Sequence, residues 1–411
     1  MNHDHDDLAA QLGRQMRHEV EGLDRAPLSL ADVKGRATRI RRRRAALTGA
    51  GTAAVLAIVV PMAMLAGQFT NAGDDVGPAT DPPSVSPGPT EPPDQGPVVG
   101  VGESLDTADL PIGDVPAVTW LENGSVLHTA DGENIRLEGT YEDVVRYDDG
   151  WLGIGGGLAV LLDADGAETG ESWVTARNLA TGQGGDVVLF VADGELRLHD
   201  NVDGETTVLR DGMPDTAEMI GVDDEDTAAY NLVGPQGEPF AALNRDGEET
   251  IPDPGTDAYV LNDVTEAGWV SAITQLMDDG TCSRTVAPNG DVAGETCELM
   301  FDRFSPDQRH VIAGPAYADG YGAGQLAVLP VDFTDGDDPV LELLQSGARD
   351  ATLMSWGWED DDHILVVTAT PVDGSTDMTW QLVRIGLDGT VENAATPVRG
   401  DEFAFPFALT S

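Results

Sequence analysis

The stretch Trp380-Gln381-Leu382-Val383-Arg384-Ile385-Gly386-Leu387-Asp388-Gly389-Thr390-Val391-Glu392 decides the fold. Two β-prone segments flank a Leu-Asp-Gly turn, and glycine supplies the positive φ that a tight hairpin turn requires. Outward from it, a glycine after Asp or Asn and before an acidic or Thr-bearing segment recurs at Gly132, Gly166, Gly204, Gly247, Gly290 and Gly336. With Gly389 the successive gaps are 34, 38, 43, 43, 46 and 53 residues. They bracket the roughly 40–45 residues of a four-stranded propeller blade. Short apolar runs lie between the turns, among them 186–191, 195–198, 325–329 and 363–368, and no stretch beyond the stalk described below keeps a helical period for three turns. The expectation is an all-β domain over residues 114–411: a β-propeller of about seven blades, six to eight fitting, with a two-sheet β-sandwich as the alternative. The ending Phe403-Ala404-Phe405-Pro406-Phe407-Ala408-Leu409 is expected to add a strand to the first blade and remove the exposed edges.

The chain before this domain reads differently. All 411 residues hold 22 Lys+Arg against 73 Asp+Glu, a net charge of −51, which excludes a nucleic-acid binder because such a surface repels phosphate. The charge is divided: residues 1–44 carry ten basic and seven acidic residues, and everything after them 12 Arg against 66 acids. Between lies an uncharged apolar run, residues 45–69, long enough at about 1.5 Å per helical residue to cross a hydrocarbon core of roughly 30 Å. Arg39, Arg41, Arg42, Arg43 and Arg44 precede it and Asp74 and Asp75 follow. The positive-inside rule then predicts a single-pass protein of the cell membrane, N-terminus cytoplasmic and C-terminal domain extracytoplasmic. A cleaved signal peptide and a buried core helix are the competing readings; the long n-region speaks against the first and the absence of a polar face against the second.

In the cytoplasmic segment, 1–44, Leu8, Leu12, Met16, Val20 and Leu23 form one helical stripe, and Ser29 with Asp32 resembles a capping box for a second short helix. The stripe suits the inner leaflet, a neighbouring chain, or a cytoplasmic regulatory protein as partner. Residues 70–113 open with eight prolines between 78 and 97 and are expected to form a disordered, extended stalk.

Two phrases carry a family resemblance: Phe304-Ser305-Pro306-Asp307 before Arg309-His310-Val311-Ile312-Ala313, and Trp356-Gly357-Trp358-Glu359-Asp360 before the strand at Ile364. With the final Leu-Asp-Gly turn they resemble the repeat of TolB-like and WD40-like β-propellers. The anchor-plus-stalk layout resembles single-pass propeller proteins of high-GC Gram-positive bacteria. Gln308 stands where that repeat carries Gly, and no blade has its Gly-His or Trp-Asp pair.

Chemistry is sparse. Cys282 and Cys297 flank Asn289-Gly290, as expected of a disulfide across two arms of a hairpin or long loop in an oxidising compartment, worth roughly 3 kcal/mol on the chain-entropy model. No Gly-x-Ser-x-Gly elbow, His-Glu-x-x-His or phosphate loop occurs, so no catalytic or cofactor-binding residue is assigned. The run Gly153-Ile154-Gly155-Gly156-Gly157-Leu158 reads as a glycine-rich strand packed where side chains have no room. His128, His199, His310 and His363 stand singly. Asp163 with Asp165 and Asp335 with Asp337 are weak Ca²⁺ candidates, set against solvated turns. Three functions fit: an extracytoplasmic binding or scaffolding module for a protein or small ligand; a transmembrane regulator; and a propeller hydrolase or lyase, which would show strongly perturbed acids or an ion on the axis.

Overall fold

Strand β24 (His363–Pro371) shows why these segments form blades: Ile364, Leu365, Val366 and Val367 are consecutive and all buried. Ile364 and Val366 enter one hydrophobic core while Leu365 and Val367 enter another, as the period-2 alternation of a strand dictates. A sheet covered on both faces needs no polar face. The computed structural model describes residue 99 and residues 101–410, except 176, 183–184, 223–226, 233–239, 244–257, 278–279, 318–321 and 346–350. The expected cytoplasmic segment, the span at 45–69 with its flanking arginines, and the proline-rich part of the stalk lie outside the described residues. Among the described residues no helix is long and apolar enough to cross a membrane.

The described residues form seven antiparallel sheets, six of four or five strands and one of three. Blade 1 joins β28 (Phe407–Leu409) to β1 (Trp120–Glu122), β2 (Val126–His128) and β3 (Asn134–Arg136). Blade 2 is β4 (Asp143–Tyr147), β5 (Gly150–Gly155), β6 (Leu158–Leu162) and β7 (Glu168–Val174). Blade 3 is β8 (Ala180–Thr181), β9 (Val187–Ala192), β10 (Glu195–Asp200) and β11 (Glu205–Asp211). The three-stranded sheet, blade 4, is β12 (Ala217–Val222), β13 (Ala228–Leu232) and β14 (Phe240–Leu243). Blade 5 is β15 (Val260–Val264), β16 (Val270–Met277), β17 (Gly280–Val286) and β18 (Val292–Thr296). Blade 6 is β19 (Leu299–Phe304), β20 (His310–Pro315), β21 (Gln325–Pro330) and β22 (Leu341–Leu344). Blade 7 is β23 (Thr352–Trp358), β24, β25 (Met378–Gly386) and β26 (Val391–Asn393), with β27 (Val398–Gly400) also paired to β25.

Seven hydrophobic cores lie between these sheets, each shared by two consecutive blades. Leu121 and Val144 meet between blades 1 and 2, Val145 and Val188 between 2 and 3, and Leu189 and Met219 between 3 and 4. Ala229 and Leu261 share the next core, Trp269 and Phe301 the one after, then Ile312 and Ile364, and finally Leu382 and Phe407, which return to blade 1. A β-sandwich has one core between two sheets; seven cores in a closed circuit define a propeller. Trp120 opposite Leu409 and Glu122 opposite Phe407 close the ring, as the C-terminal sequence led one to expect.

The turn glycines mark one position in every blade where they are described. Gly132, Gly166, Gly204, Gly290, Gly336 and Gly389 all join the third strand to the fourth, with φ between +71° and +103°; Gly247 lies outside the described residues. The glycine-rich strand β5 is packed as expected, since a Cβ on Gly153 would sit 2.6 Å from the Tyr141 ring.

One boundary moves. Residues 101–113, read above as the end of the stalk, lie along the outer edges of blades 6 and 7. Glu103 bridges Leu343 and Ile112 bridges Asn393, both in parallel sense. Asn393 N donates to Pro111 O at 2.8 Å and Gln381 Nε2 to Thr107 O at 2.8 Å. Leu105 and Leu110, together with Val99, are buried in the core between those blades. The physical reason is the change of composition after Pro97: the few apolar residues there, Val99, Leu105 and Leu110, are buried and offset ordering entropy that the proline run cannot.

Candidate functional site

The first strands of the blades run side by side around a central cavity of about 940 Å³, to which every blade contributes lining. Blade 2 supplies Val144 to Arg146, blade 4 Glu218 and Ile220, blade 5 Asn262 and Asp263, blade 6 Asp302 and Arg303, and blade 7 Trp358. Local backbone irregularity places these side chains. In blades 4, 5, 6 and 7 the pairing of the first strand to the second shifts register between Met219 and Gly221, Leu261 and Asp263, Phe301 and Phe304, and Leu353 and Ser355. Such bulges bend a strand and re-aim its side chains. Ile220, Asn262 and the Asp302-Arg303 pair are the residues so displaced.

Polar side chains then fasten blades 3 to 7, each to the next, around the cavity. Asn178 accepts from Met219 N at 2.9 Å and donates to Met219 O at 2.7 Å. Asn231 does the same with Leu261, at 3.0 and 2.8 Å. Asn262 Nδ2 donates to Phe301 O, Ser271 Oγ to Asp302 O, and Phe304 N to Asp263 Oδ2 at 2.8 Å. From blade 7, Trp356 Nε1 donates to Asp302 Oδ2 at 2.7 Å and Trp358 Nε1 to Arg303 O at 3.0 Å.

The lining is acidic: Asp131, Glu218, Asp263, Glu266 and Asp302 against Arg146 and Arg303. Asp263 and Asp302 line the cavity half-buried, and desolvation dominates their titration. It pushes the Asp263 carboxyl up to about 6, opposed by the Phe304 N–H and the Arg303 guanidinium and reinforced by Asp302. It raises Asp302 as well, against Arg303 and the Trp356 indole. Two carboxyls of raised proton affinity beside a cavity make this the candidate site.

The residues singled out in the sequence lie elsewhere. Cys282 and Cys297 form the expected disulfide, Cα atoms 4.0 Å apart, tying β17 to the end of β18. Asp163 and Asp165 occupy the β6–β7 turn, where Asp163 Oδ1 accepts from the backbone of Asp165 and Ala167. Asp335 and Asp337 sit after β21 in a different blade, accepting from Thr296 and Thr334. The two candidate pairs are not brought together, and no group of three or more potential metal ligands occurs among the described residues. His199 is stacked 3.8 Å from Tyr147, with Nε2 3.0 Å from Asp148. His128 stacks on Trp120 at 3.7 Å, and His363 lies 2.9 Å from Asp360. None of the three lines the cavity.

Asp263 and Asp302 were missed, although the sequence carries a signal. Asn262-Asp263-Val264-Thr265 and Asp302-Arg303-Phe304-Ser305 each put two polar residues just before a Ser/Thr turn. Both turns are built alike: Gly268 N donates to Thr265 O and Gln308 N to Ser305 O, with φ of +81° and +60° at Gly268 and Gln308. A polar pair repeated ahead of the same turn in successive blades marks an axial position.

No family model matches the chain, and no curated protein matches it. Solved structures that it resembles include a TolB protein and a WD40 domain. The putative TolB from Agrobacterium tumefaciens is 14% identical over 64% of this chain and 83% of that one, with a TM-score of 0.33. The Pan2 WD40 domain of Neurospora crassa is 10% identical over 62% and 86%, at 0.37. Apo AztD from Citrobacter koseri is 12% identical over 69% and 99%, at 0.36. The propeller assignment rests on the sheets and cores described above, not on these likenesses.

Proposed function

We propose that this chain is a binding or scaffolding propeller without catalytic activity, held outside the cell membrane by the apolar run at 45–69 with its N-terminus in the cytoplasm. The observation that carries the binding reading is the central cavity, lined by every blade and edged by the displaced polar residues Asn262 of blade 5 and Asp302 and Arg303 of blade 6. Asp263 and Asp302 are perturbed as the hydrolase or lyase reading requires. Each, however, uses one oxygen to hold a neighbouring blade, which favours a fixed recognition surface over a proton-transferring pair. The arginines at 39–44 and the charge asymmetry support the membrane placement.

A thermal-unfolding screen of the full chain in detergent, against cationic, anionic and neutral small molecules, tests the binding reading. A ligand of at least one class should raise the unfolding temperature by mass action, and Glu218→Ala with Arg303→Ala should abolish the rise. If no class acts through the cavity, the reading fails. Protease added to intact spheroplasts should remove the propeller and spare an N-terminal epitope; loss of both refutes the orientation.

The Leu8, Leu12, Met16, Val20 and Leu23 stripe favours a second reading, in which the propeller senses an external ligand and residues 1–44 bind a cytoplasmic regulatory protein. A partner captured by the full chain and lost on Leu12→Asp with Met16→Asp would establish it; a partner indifferent to both changes would refute it.

A further inference from the structure

We propose that Asn123, in the turn between β1 and β2, is a site of spontaneous deamidation, which converts it to aspartate and isoaspartate and loosens the strand pairing that closes the ring. The chain holds two Asn-Gly pairs, Asn123-Gly124 and Asn289-Gly290. Glycine after asparagine favours this chemistry, because no side chain hinders the backbone nitrogen that follows. That nitrogen attacks the asparagine Cγ, a C–N bond forms, and the side-chain amide leaves as ammonia with the proton the nitrogen gives up. The cyclic imide then takes up one water. Opening at Cγ leaves aspartate, and opening at the main-chain carbonyl leaves isoaspartate, whose backbone runs through Cβ.

Access does not separate the two pairs, since both asparagines are exposed. Hydrogen bonds do. Asn289 is held by Asp291 through both side-chain atoms, Nδ2 donating to Oδ2 at 2.8 Å and Oδ1 accepting from the backbone N–H at 3.0 Å. Its attacking nitrogen is engaged as well, Gly290 N donating to Ala287 O at 2.8 Å. Among the described residues, the Asn123 side chain has no hydrogen-bond partner and Gly124 N donates to none. Reaction at Asn289 must first break those bonds, and reaction at Asn123 meets no such cost.

The Asn123 turn is tied into the closure. Asn123 N donates to Pro406 O at 2.7 Å beside β28, Ser125 N to Glu122 O at 3.1 Å across the turn, and Tyr141 N to Gly124 O at 2.8 Å. The fit leaves no slack, since a Cβ on Gly124 would sit 2.7 Å from Tyr141 O. Isoaspartate adds a main-chain carbon inside this turn. Loop length sets hairpin register, so the change falls where Glu122 faces Val126 on one side and Phe407 on the other.

The full chain in detergent is aged at mildly alkaline pH and physiological temperature, then cut after glutamate at mildly acidic pH, which separates residues 123–133 from residues 267–295. Mass spectrometry follows replacement of amide by acid in each peptide, and fragmentation tells isoaspartate from aspartate. Expected is conversion at Asn123 about tenfold or more faster than at Asn289, with isoaspartate among its products. In urea, where neither turn is held, the two rates should converge. Conversion at Asn123 no faster than at Asn289, or a difference undiminished in urea, overturns the proposal. Asn123→Gly accepts the positive φ of +51° and has no amide to cyclise. The aged parent should unfold at a lower temperature and sediment as higher oligomers in step with its isoaspartate, while aged Asn123→Gly matches its fresh sample. Equal loss in both, or an isoaspartyl parent as stable as the fresh one, overturns the link to ring closure.

Discussion

At Asp263 stability and recognition pull in opposite directions. Its carboxyl titrates near 6 in the folded chain and near 3.8 when exposed, so between those values the native state holds the extra proton. Stability therefore falls as pH rises from about 4 to about 6 and levels off above, the reverse of a salt-bridged carboxylate. Asp263→Asn, which keeps an acceptor for the Phe304 N–H, should unfold at a higher temperature than the parent at pH 7.5. The difference should vanish toward pH 4, and a constant difference across that range would refute the account. Gln308 is a second residue working against itself. It holds φ +60° at the turn position where Thr265 is followed by Gly268, and a left-handed conformation costs a residue with a Cβ about 1–2 kcal/mol. Gln308→Gly recovers that cost less the extra chain entropy of glycine, a net gain of about 0.5 kcal/mol. Thermal unfolding should shift upward by about 1–2 °C; a downward shift would show that the glutamine side chain contributes more than its backbone costs.

Among the elements, the strap at 101–113 changes what counts as the folded unit. A chain beginning at residue 114 would expose the pocket that Leu105 and Leu110 fill between blades 6 and 7. In the intact chain Leu105→Ala should cost about 2–4 kcal/mol in urea unfolding; a loss under ~0.5 kcal/mol would mean the strap merely rests on the surface. Arg384 makes the neighbouring attachment. It binds Glu359 at 2.5 and 2.6 Å, pairs with Glu392 and donates to Asp114 O at 3.2 Å, and these carboxylates hold its guanidinium firmly protonated. Glu359, its side chain 3% exposed, would be left buried and uncompensated in Arg384→Leu. The expected loss is about 3 kcal/mol or more, and Arg384→Leu with Glu359→Leu should restore most of it. The blades were legible in the sequence because the Asp-Gly turns sit between third and fourth strands, at the outer rim where turn chemistry is local. The strap was not, because Leu105 and Leu110 are too sparse to read as an element and acquire meaning only against the outer edges of two finished blades. Asp263 and Asp302 stayed hidden for a related reason: a charged residue inside an apolar strand reads as its solvent face until the strand is known to be innermost.

For the whole molecule, seven cores in a circuit make stability depend on closure. Deleting residues 406–411 removes β28 and leaves β1 as an open edge above a core missing Phe407. Such an edge is a template for pairing with another chain, so the shortened protein should sediment as higher oligomers at concentrations where the intact one is monodisperse. A monodisperse, equally stable product would show that the ring needs no clasp. The same clasp orders events in time. Trp120 is among the first residues of the propeller to leave the ribosome, and Leu409, its partner, among the last. At about 5–20 residues per second, blade 1 waits on the order of 15–60 s for β28, long after its own hairpins have had time to form. Throughout that interval the nascent ring carries an unpaired β1, so the strand that retires its most exposed edge is the last strand of the ring to arrive.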